Sequence, residues 1–144
     1  MGCIQDCELK SKTLNNSIPF SMQGKIVRAK VVSVYDGDTI TLVFKFGNVF
    51  CHHACRLEGL DCAEIKTKNQ EEKKVGLEAK EYLTNLLVNQ LVTVTFSDKN
   101  DKFGRLLGKI EFNGMNISDH MIEKGFGYAY NGEKKKKFED WKLT

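Results

Sequence analysis

Apolar and polar residues alternate from Lys25 onward, and before that point they do not. Residues 1–24 are polar, hold the only proline (Pro19), and show no sustained period, so they read as a disordered leader. Lys25–Val34 is dense in Val and reads as a strand. In Thr39–Phe44, Ile40, Leu42 and Phe44 alternate with Thr39, Thr41 and Val43, a second strand. Phe46-Gly47-Asn48 is a turn signal, and Val49–Glu58 returns as a third strand paired with the second. The chain thus opens, after the leader, with a three-stranded meander.

Gly59 to about Lys74 reads as a charged loop. A helix follows, with Val75, Ala79, Tyr82, Leu83, Leu86 and Leu87 on one face and Lys80, Glu81 and Asn85 opposite. Leu91–Phe96 alternates again as a fourth strand, and Arg105–Phe112 is a fifth, ending at the turn Asn113-Gly114. Ser118 suits an N-cap, Asp119 the first turn, and Gly125 the residue after a short helix. A last turn takes in Phe138 and Trp141. Three strands, a helix, two strands and a short helix fit a mainly β, α+β fold: a five-stranded OB-type barrel with two to three helices, which leaves no open edge.

Composition narrows the class. The 144 residues are 41% hydrophobic and 28% charged, which excludes collagen, coiled coil and wholesale disorder. No apolar run approaches the ~20 residues of a bilayer span, and Met1–Lys12 lacks the basic start and apolar stretch of a secretory signal. An intracellular, reducing setting is therefore expected, and the five cysteines, an odd number, agree with it. Cys51-His52-His53-Ala54-Cys55 suggests a metal cluster, but a strand splits it across two faces, so half-buried strand residues are expected instead of zinc. The net charge of +3 is too small to argue for a polyanion partner.

Four polar groups sit where a barrel core has no use for them. Asp36-Gly37-Asp38-Thr39 joins the first two strands, Arg56 lies inside the third, Asp61-Cys62-Ala63-Glu64 follows it, and Arg105 opens the fifth. Antiparallel pairing brings the start of the second strand beside the end of the third, so Asp38 and Asp61 approach each other. Two neighbouring carboxylates repel unless a proton or cation intervenes, and calcium or magnesium suits oxygen donors. Arginine presents planar, permanently charged donors matched to phosphate oxygens. Together these groups make a logical site for cutting a phosphodiester.

The stretches Val34–Thr39, Cys55–Glu64 and Asp101–Arg105 closely resemble motifs of the staphylococcal nuclease (thermonuclease) family. Gly76-Leu77-Glu78-Ala79, Ser118–Gly125, Tyr128 and Tyr130 extend the likeness over about residues 25–130, leaving 1–24 as leader and 131–144 as a short basic tail. The resemblance implies an OB-fold, calcium-dependent nuclease acting on DNA and RNA and leaving 3′-phosphate ends. Position by position, it makes Asp38, Asp61 and the backbone carbonyl of Cys62 calcium ligands. It makes Glu64 the residue that positions or deprotonates the attacking water, and Arg56 and Arg105 the phosphate clamps. Asp36 becomes a nearby acid that is not a ligand. Lys102, Tyr128 and Tyr130 line the nucleotide pocket, and stacking there implies little base specificity and a preference for single strands. A monomer is expected.

The chain departs from the family at three places. Cys62-Ala63 stands where the family has Thr-Pro or Ala-Pro, which frees the loop carrying Glu64. Phe103 replaces a frequent tyrosine. The C-terminal helix is shortened, and Lys134–Lys137 reads either as a solvated charge run or as a phosphate-tracking patch. The rival class is a catalytically silent barrel that binds nucleic acid or protein. Met1-Gly2-Cys3 also resembles an acylated start, with Gly2 and Cys3 as the lipid sites and membrane association as the consequence, although Asp6 stands where Ser or Thr is usual.

Overall fold

Alternation becomes strand because Val, Ile, Leu and Phe can line one face of a pleated ribbon while Thr, Lys and Arg face water. The computed structural model describes residues 3–97 and 103–142. In chain order its elements are α1 (Ile4–Lys10), β1 (Ile26–Asp36), β2 (Thr39–Phe46), β3 (Val49–Leu57), β4 (Gly59–Cys62) and α2 (Gln70–Leu87). There follow β5 (Leu91–Phe96), β6 (Leu106–Phe112), β7 (Met115–Asn116), α3 (Ile117–Glu123), β8 (Gly127–Tyr130) and α4 (Phe138–Lys142).

The main sheet runs β3-β2-β1-β5-β6-β7, and β3 also pairs with β6, which closes five strands into a barrel. The closing pair is parallel, with Cys55 beside Leu106 and Leu57 beside Gly108. A second, two-stranded sheet pairs β4 with β8, setting Asp61 opposite Tyr128 and Cys62 opposite Gly127. Val31, Ile40, Leu42, Leu57, Val92, Val94 and Ile110 fill the barrel, and α2 caps it with Ala79, Leu83 and Leu87, all buried. The fold is the mainly β, OB-type barrel expected from the alternation.

Several elements differ from expectation for identifiable reasons. Residues 59–62, expected as loop, form β4: Gly59 turns at φ +86, and Leu60, Asp61 and Cys62 are then buried against β8. The helix α2 begins at Gln70, five residues before Val75. Its first turn is charged and exposed, so no apolar period marks it; the Asn69 side chain caps it by accepting from the Glu71 and Glu72 amides. Asn116, not Ser118, caps α3. Ser118 instead donates to the Glu58 carbonyl at 2.7 Å, and Gly125 does end the helix, at φ +82. Arg105 precedes β6 rather than opening it.

Four α-helices are present among the described residues rather than two or three. The leader, expected to be disordered, carries α1, in which no residue is buried. Its capping is local: the Asp6 carboxylate accepts from the Cys3 amide. The other addition is α4, which buries Phe138 and Trp141 with Tyr128 and Ala63 in a small second cluster. Apolar side chains at positions 138 and 141 share one face of a turn and fold the tail back onto β8. No helix among the described residues is long and apolar enough to cross a membrane.

If α4 is held by this cluster, Trp141→Ala should lower the unfolding free energy by about 3 kcal/mol, the low end for loss of a buried tryptophan, because the side chain keeps some contact with water, at 9% exposure. Urea denaturation followed by circular dichroism measures it. A loss under about 1 kcal/mol, the range of ordinary surface changes, would mean the tail does not dock.

Candidate active site

The turn between β1 and β2 carries the first acid. Gly37 has no room for a side chain: a Cβ there would lie 2.9 Å from Ala79 Cβ and 3.0 Å from Cys62 Sγ. The turn is thus wedged between α2 and β4, and Asp38 meets the Asp61 strand. Asp38 is buried, with Oδ1 accepting from the Thr39 hydroxyl at 3.0 Å and Oδ2 from the Cys62 amide at 3.2 Å. Asp61 is buried too; Oδ2 accepts from the Tyr128 hydroxyl at 2.7 Å and Oδ1 faces Arg56 Nη2 at 3.1 Å.

Arg56 lies on β3, opposite Thr39 of β2. Its Nη2 reaches Asp61, the Leu60 carbonyl at 3.2 Å and Asp38 Oδ2 at 3.6 Å, and its guanidinium lies 5.8 Å from the Tyr130 ring centre. Arg105 donates to the Thr39 hydroxyl at 2.9 Å, and Thr39 passes a hydrogen bond to Asp38. The Phe103 ring flanks Arg105 at 5.3 Å. Both arginines therefore address Asp38, one directly and one through Thr39.

Glu64 hangs at the edge, its side chain 56% exposed. Its amide donates to the Glu72 carboxylate at 3.2 Å, and the Thr67 hydroxyl donates to the other oxygen of that carboxylate. The first turn of α2 thereby ties down a loop that lacks proline. Lys135 Nζ, from the tail, lies 3.3 Å from Asp61 Oδ1 and 3.8 Å from Glu64 Oε1.

The crowding of acids shows in their proton affinities. Burial and the neighbouring Asp38 charge push Asp36 up to about 7. Partial burial raises Glu64, Lys135 opposes that rise, and Asp61 and Asp38 add to it. The Cys62 thiol is driven well up by burial and by three surrounding aspartates. Tyr128 is raised by burial and by its bond to Asp61. Each group is pushed toward its less negative form, first by burial and then by the neighbouring acids.

The residues singled out in the sequence thus fall into one region: Asp38, Arg56, Asp61 and Cys62 in direct contact, Arg105 one hydroxyl away, and Glu64 linked through Lys135. Tyr130, half-buried beside Arg56, fits a pocket wall. Tyr128 does not fit an open stacking platform. It is buried, Trp141 packs 5.4 Å from it, and its hydroxyl holds Asp61 while accepting the Lys136 amide. A cavity of about 320 Å³ borders it on the tail side, with Lys136, Trp141 and Lys142 in its lining and none of the arginines or acids named above. Lys102 and Gly2 lie outside the described residues; Cys3 is the exposed N-cap of α1. Cys55 is buried in the barrel, Cys51 is half-buried, and His52 and His53 are exposed.

Sequence reasoning missed three contributors. Thr39 was visible inside its motif only as a strand start. Glu72 carried no periodic signal. Lys135 was hidden among identical neighbours, and only the Phe138–Trp141 anchor tells which lysine turns inward.

The donor set suits a hard divalent cation. Asp38 Oδ2 and Asp61 Oδ1 are buried hard oxygen donors that both face Arg56 Nη2, at 3.6 and 3.1 Å, so they are close enough to share one positive charge. Among the described residues no three His, Cys, Asp or Glu side chains form a ready cage. A cation held there would rest on two side chains, with backbone and water oxygens completing its shell.

Known proteins share this arrangement of sequence. A family model described as staphylococcal nuclease homologue matches residues 54–143. An uncharacterized protein of Bacillus anthracis is 33% identical over 103 residues, 70% of this chain and 46% of that protein. An uncharacterized endonuclease of Escherichia coli is 30% identical over 105 residues, 72% of this chain and 61% of its own length. Endonuclease Htp3 of Saprolegnia parasitica is 29% identical over 132 residues, 80% of this chain and 62% of its length. The chain thus spans about half to three-fifths of these relatives.

The raised Asp36 gives a pH test. A carboxyl whose folded value lies above its unfolded one stabilises the fold below about 3.8, and that contribution is lost as pH rises through about 7. Asp36→Asn supplies the same donor and acceptor without titrating. Its melting temperature, measured with chelator present, should exceed wild type most at pH 8 and converge with it toward pH 4. A pH-independent gap would show that Asp36 does not carry this shift.

Proposed function

The chain belongs to the staphylococcal nuclease family, and on that footing we propose that it is a calcium-dependent nuclease. It hydrolyses phosphodiester bonds of DNA and RNA with little base specificity and leaves 3′-phosphate ends. The observation that carries this reading is the convergence of Arg56 and Arg105 on Asp38, with Asp61 sharing Arg56. Acids alone would repel a nucleic acid; acids with two guanidiniums at their rim suit a cation and a phosphate together.

Asp38, Asp61 and the carbonyl of Cys62 would hold the calcium, which when bound supplies Lewis-acid polarisation of a phosphate oxygen. Arg56 and Arg105 stabilise the negative charge that builds as phosphorus becomes five-coordinate. Because they act on developing charge, they affect turnover more than binding. Glu64, exposed enough to meet water and raised in proton affinity by burial and by Asp61 and Asp38, orients a water and takes its proton. Tyr130 offers a face for a base, which favours single-stranded or frayed substrate.

The test is digestion of DNA and RNA with calcium, magnesium or chelator, beside Glu64→Gln. Wild type should cut with calcium and not with chelator. Glu64→Gln should melt with wild type yet cut about 10²–10⁴-fold more slowly, the usual worth of a positioned base. Cutting at the wild-type rate would remove Glu64 from the chemistry. Tight binding without any cutting would make the chain a nucleic-acid-binding barrel instead.

A further inference from the structure

Lys134–Lys137 is the densest run of charge in the chain, yet its members do different things. The tail is pinned just after Lys135. The Lys136 amide donates to Tyr128 Oη at 2.9 Å, and Phe138 and Trp141 of the following helix are buried. Tyr128 in turn donates to Asp61. So fixed, Lys135 directs its ammonium at two acids at once, Asp61 Oδ1 at 3.3 Å and Glu64 Oε1 at 3.8 Å. Those two residues are a cation ligand and the general base of the nuclease reading, on which this inference rests.

We propose that Lys135 is an internal counter-ion of the active site, whose ammonium neutralises Asp61 and Glu64 until a divalent cation displaces it, so that Lys135 sets the cation concentration at which the site fills. A buried carboxylate without a compensating charge is costly, and Arg56 is already shared between Asp38 and Asp61. An ammonium on a flexible stem is a single, strongly hydrated charge. The Lys135 side chain is 46% exposed, so it can leave toward water. Its ammonium lies 5.9 Å from the Tyr130 ring centre, a second resting place close at hand. A divalent ion and the ammonium cannot both occupy Asp61 Oδ1 without strong repulsion. Departure of the ammonium also releases Glu64 Oε1, so filling the site and freeing the base are one event.

The test is calcium titration by calorimetry of the chelator-stripped full chain without nucleic acid, for wild type, Lys135→Met and Lys134→Met. Methionine keeps the unbranched apolar stem and removes the charge. Lys134 is exposed and adjacent, so its variant carries the same change in net charge. Lys135→Met should bind calcium about fivefold more tightly, the worth of one partly exposed ion pair, while Lys134→Met stays near wild type. In chelator, Lys135→Met should also melt below wild type, and it should gain more from saturating calcium. Equal affinity in wild type and Lys135→Met, or equal tightening in both variants, would overturn the inference and leave the calcium reading standing. Absence of calcium binding in all three would overturn both.

Discussion

Two carboxylates are buried within reach of a single guanidinium nitrogen, and everything near them is arranged around that fact. Asp38 and Asp61 would repel each other if left alone, and Arg56 Nη2 stands against both. Removing one partner of such a buried group typically costs about 3–5 kcal/mol. The other two oxygens are held by neutral donors, the Thr39 and Tyr128 hydroxyls, and the Cys62 amide adds a further neutral bond to Asp38 Oδ2. The two acids are therefore held by fixed hydrogen bonds, and the remaining charge on Asp61 is met by Lys135 at 3.3 Å, a side chain half open to water.

The scaffold needed for this is a small sheet attached to the barrel. β4 carries Asp61, and β8 carries the tyrosine that orients it. The backbones come so close that a Cβ on Gly127 would collide with the Asp61 carbonyl, so glycine is required there. On the other side of β8, Trp141 and Phe138 hold the tail and its lysines. A side chain that orients an acid is thus itself oriented by an aromatic cluster contributed by the chain's last helix.

Much of this was legible in the sequence because alternation dictates the barrel strands and the acid and arginine motifs sit at their ends. Thr39, Ile40, Leu42 and Phe44 announce β2, and the pairing of β2 with β3 then brings Arg56 opposite Thr39. What was not legible depended on contacts between distant segments. Gly59–Cys62 has no alternation long enough to read, and it becomes a strand only because β8 arrives to pair with it. The first turn of α2 is charged, so its start is set by Asn69 and not by any apolar stripe. From the sequence Tyr128 reads as a pocket residue and Lys135 as one of four lysines in a charge run. Burial of the one against Trp141 and of the other's neighbours in α4 separates their roles.

The parallel pairing of β3 with β6 has a further consequence. It joins Cys55 to Leu106, and the residues flanking that joint are Arg56 and Arg105. The two arginines thus stand at the seam where the barrel is zipped shut, the contact that joins segments about fifty residues apart and carries their loop-closure cost. They are held in register by the same hydrogen bonds that complete the fold. A barrel that opens at this seam separates Arg56 from Arg105, so an unclosed or partly folded chain has the acids without both arginines beside them. Closure of the barrel and assembly of the site are therefore a single event.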